Sequence, residues 1–435
     1  MSAAQQPAAP RGIEAPRDIE APSIEKLLAR RTGWGRSDAV SRILAAASAP
    51  GVLSMAGGIP APDSFPVTRL AEATDRLFAG PGGQAVRALQ YAPTDGIGPM
   101  REVIAARASA TGAPVGPDRV MVTAGSQQGL DLVARAIVDE GDEVALDDPS
   151  YLGAVQVFRR AGARLLPVPG DAEGMRTDVL EERLLAGARP KLVYVVPHFH
   201  NPTGAVLSEE RRRHLAALAE RFGFLVVEDD PYGDLAYEGS RLPSTDVHSG
   251  RVVRLMSLSK TVCPGLRVAG LVAPAGLIGE LVAAKQCGDL QTNTFGQYLL
   301  ADLLGDPEFL PAHLAGLRTL YGGRARAMET LLRERLPWLD FERPRGGLFF
   351  WCRLTDPRVG SDALYGHALA QGVAIVPGTP FCIEEDGSRV LRLSFASLDG
   401  AQRREGVSRL AAAWGKALAD GPSSVFRPHP QGARP

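Results

Sequence analysis

The chain has 435 residues, 45% of them hydrophobic, enough to bury a substantial core in two or three domains. Forty-eight Lys and Arg balance 49 Asp and Glu, for a net charge of −1. That balance excludes the basic field a nucleic-acid binder needs and the polybasic surface that anionic lipid attracts, leaving small molecules as the expected partners. No uninterrupted apolar stretch reaches membrane-spanning length and the first residues lack a charged start with an apolar run, so a cytoplasmic protein with no membrane contact is expected. Cys263, Cys287, Cys352 and Cys382 lie far apart and form no CxxC pair, which predicts free thiols and no metal site.

From Met1 to about Pro22, and again in the tail GPSSVFRPHPQGARP after Asp420, Pro, Gly, Ala and Gln dominate, and fixed structure is not expected. Between these ends, apolar β-branched runs alternate with helical patterns. RVMVTAG precedes SQQGLDLVARAIVDEG, DEVALDD precedes YLGAVQVFRRAG, KLVYVVP precedes SEERRRHLAALAERFG, and FLVVEDD follows. This rhythm predicts an α/β domain with a mainly parallel central sheet buried on both faces, continued by RVVRLMSLS and VAGLVAP. After Pro311 a long helical stretch, HLAGLRTLYGGRARAMETLLRERL, leads into short strands around GGLFFWCRL, VAIVPG and VLRLSFA and a last helix, which predicts a smaller α+β domain. No internal repeat is visible.

Five strings carry chemistry. In MVTAGSQQGLDL a strand turns at Gly125 and opens a helix whose apolar Leu130, Val133 and Ile137 share one face. Free N–H groups, the helix dipole and the Ser126 hydroxyl would favour a phosphate at Gly125, Ser126 and Gln127, although a plain glycine cap gives the same string. SLSKTVCPGLR gathers Ser257, Lys260 and Arg267 after a strand, where a buried amine beside another cation loses its proton more easily and can attack an aldehyde. A solvated Lys and Arg on a loop is the alternative. FLVVEDDPY ends an apolar strand in acids, placing Asp229 where ligands of open α/β sheets sit and where a carboxylate could hold a pyridine nitrogen protonated. Capping acids at a turn would read alike. Asn201 in HNPTG could hydrogen-bond a ring oxygen, and Arg392 within the strand VLRLSFA offers a planar fork for a carboxylate.

In kind and order these signals resemble the fold-type I enzymes of the class I and II aminotransferases, which use pyridoxal 5′-phosphate. The resemblance covers about Ser37 to Asp420 and points to the 2-aminoadipate and kynurenine/aminoadipate branch, through SMAGGIPAPDSFP, LQYAPTDGIGPMRE, TAGSQQGLDL, DDPSYLGA, NPTG, VVEDDPY, SLSK..PGLR, PRGGLFFW and LRLSFA. It implies a flexible arm over residues 1–36, a segment 37–65 joining the small domain, a large cofactor-binding domain 66–310, a small domain 311–420 and a disordered tail 421–435. It gives Lys260 the Schiff base and the proton shuttle, Asp229 the ring nitrogen, Asn201 and Tyr232 the phenolic oxygen, and Tyr151 the stack on the ring face. The phosphate would lie among Gly125, Ser126, Gln127, Ser257, Arg267 and Tyr91 of the second subunit of a homodimer, with Arg392, Gly58 and Asn201 at the substrate. The implied reaction passes an amino group from an amino acid to a 2-oxo acid such as 2-oxoglutarate or pyruvate in ping-pong order.

Some positions depart from the family pattern. Leu258 replaces an aromatic residue before Ser-Lys, HFHNPTG brings His198 and His200, Pro231 replaces a small residue, and Asn293 stands where proline is common. The two histidines could serve packing, substrate contact or a metal. Trp34, Trp338, Trp351 and Trp414 are read as packing. Counting back from Gly57 without gaps, Ser41 takes the position of the arginine that binds a distal carboxylate in bacterial aminoadipate enzymes, and Arg42 is one helical step, about 100°, away. A neutral, aliphatic or aromatic amino donor is therefore expected. Decarboxylation, β-elimination, racemisation or oxidation would use the same cofactor and fold. A ligand-sensing regulator would need an N-terminal winged-helix module, for which the residues before the resemblance are too short.

Overall fold

The computed structural model describes residues 23–35, 41, 45, 47, 49–80 and 83–420. The expectations for Met1–Pro22, for Arg42 and for the tail from residue 421 lie outside the described residues. The stretch up to Gly33 contributes a helical turn, Ile24–Leu27, and a 3-10 turn, Arg30–Gly33. The chain from Trp34 onward forms a separate unit.

Fourteen strands are described: β1 Leu53–Ser54, β2 Val120–Thr123, β3 Glu143–Asp148, β4 Arg164–Asp171, β5 Gly174–Met175, β6 Pro190–Val195, β7 Leu225–Asp229, β8 Val252–Ser257, β9 Ala269–Val272, β10 Leu339–Phe341, β11 Phe349–Leu354, β12 Val373–Ala374, β13 Val376–Pro377 and β14 Val390–Ser394. The large sheet runs β2-β9-β8-β7-β6-β3-β4-β5. Its centre, β4-β3-β6-β7-β8, is parallel, and β9 runs antiparallel to both neighbours. Val144, Ala145 and Leu146 on β3, Val193 on β6 and Val226 and Val227 on β7 are all buried, as a sheet covered by helices on both faces requires.

The crossover helices begin and end where local chemistry directs. Ser208 accepts a hydrogen bond from Arg211 N at 3.4 Å and caps the helix Glu209–Phe222, which Gly223 ends at φ +83°. Asn293, unexplained by sequence, caps the helix Thr294–Gly305 by accepting from Gly296 N at 3.2 Å. The long helix spans Phe309–Arg335 and so starts before Pro311. Proline sits in its first turn, where the backbone N–H has no intrahelical partner to lose.

A second, antiparallel sheet, β10-β11-β14-β13, follows that helix. Near the start of the chain, β1 pairs in parallel with β12, Leu53 opposite Val373. Trp338 and Trp414 stack at 4.0 Å, in line with a packing role. Among the described residues no helix is long and apolar enough to cross a membrane.

Candidate active site

The carboxyl ends of β6, β7 and β8 open onto a cavity of about 440 Å³, the place where an open parallel sheet leaves backbone groups and strand-end side chains free to face a ligand. Lys260, Asp229, Tyr232, Ser126, Gln127, Tyr151, Asn201, Ser257, Arg267, Gly58 and Arg392 all line it. Of the sequence-predicted residues, Gly125 lies just behind the wall and Tyr91 is exposed elsewhere on the surface.

Lys260 follows β8 by three residues, and its Nζ donates to Gly58 O at 2.7 Å. Desolvation, with Arg392 and Arg267 nearby, brings the amine down to about 8. Roughly a tenth of it is then an uncharged nucleophile at neutral pH. A Cβ on Gly58 would meet Phe349 Cζ at 2.6 Å, so glycine lets this segment pass close enough for its carbonyl to reach the amine.

Asp229 ends β7 and is buried. Its Oδ2 accepts from the Tyr194 hydroxyl at 3.0 Å, whereas Oδ1 is buried with no hydrogen-bond partner. Burial raises this carboxyl to about 7, against the opposing pull of the Tyr194 hydrogen bond and Lys260. The neighbouring Asp230 is differently engaged: it accepts from Arg241 Nη2 at 2.6 Å, His198 Nδ1 at 3.0 Å and Gly233 N at 2.9 Å. Burial pushes Asp230 up, but Arg241 and His198 outweigh it and hold the carboxyl far below the usual range. Of the two acids, Asp229 therefore has the free oxygen.

At the far end, the helix Ser126–Ile137 starts right after Gly125, whose φ of +92° and ψ of 160° only glycine tolerates well. The Ser126 Oγ is buried and unpartnered. Arg267, itself at φ +53°, donates to Ala124 O at 2.9 Å, and its guanidinium fills the space that a Cβ on Gly125 would need. Ser257 Oγ accepts from Ser259 N at 3.2 Å. Backbone donors at a helix start, a free hydroxyl and a guanidinium together make a receptor for a dianion.

Arg392 on β14 is buried and donates to Asn201 Oδ1 at 2.5 Å and Ala56 O at 2.6 Å, while its Nε has no partner among the described residues. The guanidinium lies 4.1 Å from the Phe349 ring centroid and 4.9 Å from that of Phe381. Burial lowers its pKa to about 10, which leaves the fork charged at neutral pH. Tyr232 is buried with its ring edge-on to Phe349 at 6.0 Å, and burial pushes its phenol up. Tyr151 donates to Gln127 Oε1 at 3.2 Å, and desolvation raises its phenol to about 12.

The two unusual histidines go to different places. Arg212 can only donate, so His198 Nε2 accepts from its Nη2 at 3.2 Å and His198 Nδ1 carries the hydrogen given to Asp230. His200 pairs with Thr203 Oγ1 at 2.9 Å and faces Asp147 at 3.6 Å, in the wall of a second cavity of about 550 Å³. Burial lowers His200 to about 3 and raises Asp147 to about 8, so both are mainly uncharged at neutral pH. Among the described residues no group of three or more His, Cys, Asp or Glu could hold a metal ion.

Sequence reasoning missed Tyr194, Phe349 and Phe381. A tyrosine inside the otherwise apolar strand KLVYVVP was the available signal for the first, because a buried phenol needs a partner. Nothing local signalled that two phenylalanines would sandwich Arg392.

An open α/β sheet with a lysine, an acid and an arginine converging at its strand ends is the layout of a fold-type I pyridoxal 5′-phosphate enzyme. The family model for aminotransferase class I and II matches residues 52–410. The 2-aminoadipate transaminase of Thermus thermophilus is 40% identical over 88% of this chain and 95% of that protein. Aromatic-amino-acid aminotransferase 1 of Thermococcus litoralis is 35% identical over 90% of this chain and 95% of that protein. The crystal structure of the Thermus thermophilus alpha-aminoadipate aminotransferase, complexed with N-(5′-phosphopyridoxyl)-L-leucine, superimposes with a TM-score of 0.83 at 38% identity, covering 91% of this chain and 99% of that one. The chain belongs to the class I and II aminotransferases: it is a pyridoxal phosphate enzyme that transfers amino groups between amino acids and 2-oxo acids. The cavity suits that cofactor, since the free Asp229 Oδ1, the free Ser126 Oγ and the Lys260 amine match a ring nitrogen, a phosphate and an aldehyde.

Proposed function

We propose that the enzyme takes its amino group from an L-amino acid with a neutral aliphatic or aromatic side chain and passes it to 2-oxoglutarate or pyruvate in ping-pong order. The observation that carries this reading is the charge inventory of the 440 Å³ cavity: among its described lining residues the cations are Lys260, Arg267 and Arg392. One is the nucleophile, one belongs to the phosphate and one to the α-carboxylate, so among the described residues a second substrate carboxylate would have no charged partner. Burying such a charge unpaired is costly. The aromatic specificity in the name of the Thermococcus protein agrees with a neutral donor, and the Thermus enzyme, although named for the acidic 2-aminoadipate, is seen with a leucine adduct.

Bound here, pyridoxal phosphate supplies the aldehyde and the electron-accepting ring. Lys260, the amine that would hold the cofactor aldehyde, would be the group placed to take and return a proton at the substrate α-carbon. Asp229 would hold the ring nitrogen protonated through its free Oδ1, Tyr232 and Asn201 would address the phenolic oxygen, and Tyr151 would cover the ring. Gly125, Ser126, Gln127, Ser257 and Arg267 hold the phosphate. Arg392 grips the α-carboxylate with the edge that includes its unpartnered Nε, beside Gly58 and Asn201.

The working molecule is a cytoplasmic homodimer in which Tyr91, 76% exposed in one chain, reaches the partner's phosphate. It binds neither nucleic acid nor membrane. Its large domain spans residues 66–310 and its small domain 311–420, with the segment 37–65 joining the latter. The pairing of β1 with β12 supports that join. The test supplies leucine, phenylalanine, tryptophan and 2-aminoadipate, each with 2-oxoglutarate or pyruvate, to wild type and Ser41→Arg, and identifies both products. The neutral donors should lead in wild type and aminoadipate should gain in the variant. A wild-type preference for aminoadipate, or a ratio unmoved by the substitution, contradicts the proposed specificity.

A further inference from the structure

The proposed role of Asp229 leaves open how a carboxylate so deeply buried is kept ionised and aimed. β6 and β7 are parallel neighbours, with Tyr194 opposite Val227. Residues opposite one another share a face, and Val227 and Asp229, two apart, share it as well. Tyr194 therefore leans one step along the strand, and its hydroxyl reaches Asp229 Oδ2 at 3.0 Å. The tyrosine is wholly buried and packs edge-on against Phe158, ring centroids 5.9 Å apart, while the hydroxyl end is held by Asp229. Asp229 Oδ1, in contrast, is buried without any partner on the cavity wall. The other charged groups around this carboxylate are Lys260 across the cavity and Asp230 next in the chain, the latter already engaged by Arg241 and His198.

Resting on the reading of Asp229 given above, we propose that Tyr194 is a positioning residue for the amino transfer: its hydroxyl donates to one oxygen of Asp229, keeps the carboxylate charged and turns the other oxygen to the ring nitrogen of the cofactor. The donor acts through Asp229 and touches neither substrate nor cofactor. A hydrogen bond of this kind favours the charged form of the acid. Within the shared Asp229–nitrogen pair it therefore moves the proton toward the nitrogen. Without it the proton shifts back toward the carboxyl, and the ring is a weaker electron acceptor.

The experiment uses holoenzyme carrying pyridoxal 5′-phosphate labelled with 15N at the ring nitrogen, and reads the nitrogen resonance by solid-state NMR. Wild type should give the signal of a protonated ring. Tyr194→Phe should move it toward the unprotonated position and lower kcat about tenfold, equivalent to about 1.4 kcal/mol, with KM for the donor changed less than about twofold. Phe158→Leu loosens the same packing but keeps the hydroxyl, and should lower Tm while leaving the resonance in place. Two further results test the underlying reading separately: reductive trapping of the label on Lys260, and loss of the protonated signal in Asp229→Asn. If both hold and Tyr194→Phe keeps the wild-type resonance, or Phe158→Leu moves it equally, the role of Tyr194 is overturned alone. If the label is trapped elsewhere or Asp229→Asn keeps the signal, the reading of the site falls and Tyr194 with it.

Discussion

Replacing Arg392 by lysine isolates the contribution of its planar fork, because the charge stays and the geometry goes. The guanidinium uses Nη1 and Nη2 on Asn201 Oδ1 and Ala56 O, at 2.5 and 2.6 Å, and keeps Nε free. Its Cζ lies over the Phe349 and Phe381 rings, 4.1 and 4.9 Å from their centroids. A lysine ammonium is a point donor that cannot hold the two protein oxygens and also present two parallel N–H groups to a carboxylate. The loss of one charge-assisted hydrogen bond costs about 1.5–3 kcal/mol, which is about 10- to 150-fold in kcat/KM at about 1.4 kcal/mol per tenfold. The assay compares leucine with 3-methylbutylamine, the same side chain without the carboxylate, using 2-oxoglutarate as acceptor. Arg392→Lys should lower kcat/KM for leucine by that factor and leave the amine within about twofold of wild type. Equal losses on both substrates would mean that Arg392 does not bind the carboxylate and only supports the cavity.

In the apo protein, Lys260 is lowered from 10.5 to about 8, so between those values the unfolded chain binds more protons than the folded one and stability rises with pH. Lys260→Met should then be more stable than wild type below pH 8, by at most on the order of 3 kcal/mol, with the gap closing toward pH 10.5; a constant Tm difference across that range would contradict the shift. Gly125→Ala forces a Cβ into the Arg267 guanidinium at a backbone angle suited to glycine, and should cost about 1–3 kcal/mol of stability and weaken cofactor binding in equilibrium dialysis at least about tenfold; unchanged binding would remove Gly125 from the phosphate site. Mixing inactive Tyr91 and Lys260 variants should restore one intact site per hybrid dimer; no recovery after demonstrated subunit exchange would mean self-contained sites.

Much of this site was readable because its residues sit at punctuation points of the backbone. Gly125 before a helix, Asp229 at the end of an apolar strand and Lys260 just after another are positions where an α/β sheet exposes its ligand face, and the string itself marks the position. Arg392 was conspicuous for the opposite reason, as a charge inside an apolar strand. What stayed hidden depends on contacts between distant segments. The Arg392 bond to Ala56 spans 336 residues, and the Phe349–Arg392–Phe381 sandwich needs three segments folded together. The Tyr194–Asp229 bond depends on the register of β6 against β7, which no single strand encodes. His198 and His200 were visible as oddities, but their separation into an Asp230 contact and a second cavity follows from the turn between them, where Phe199 takes φ +48°. The early start of the helix at Phe309 was obscured because Pro311 reads as a boundary.

Everything proposed for the cavity depends on Lys260 being the amine that carries the cofactor. Borohydride reduction of the purified holoenzyme, followed by peptide mapping, tests it directly. A phosphopyridoxyl group should appear on the peptide containing Lys260 and be missing in Lys260→Ala, with that variant keeping its fold by circular dichroism. A modified peptide containing another lysine, such as the buried Lys285 that donates to Gln128 and Asp289, would contradict it.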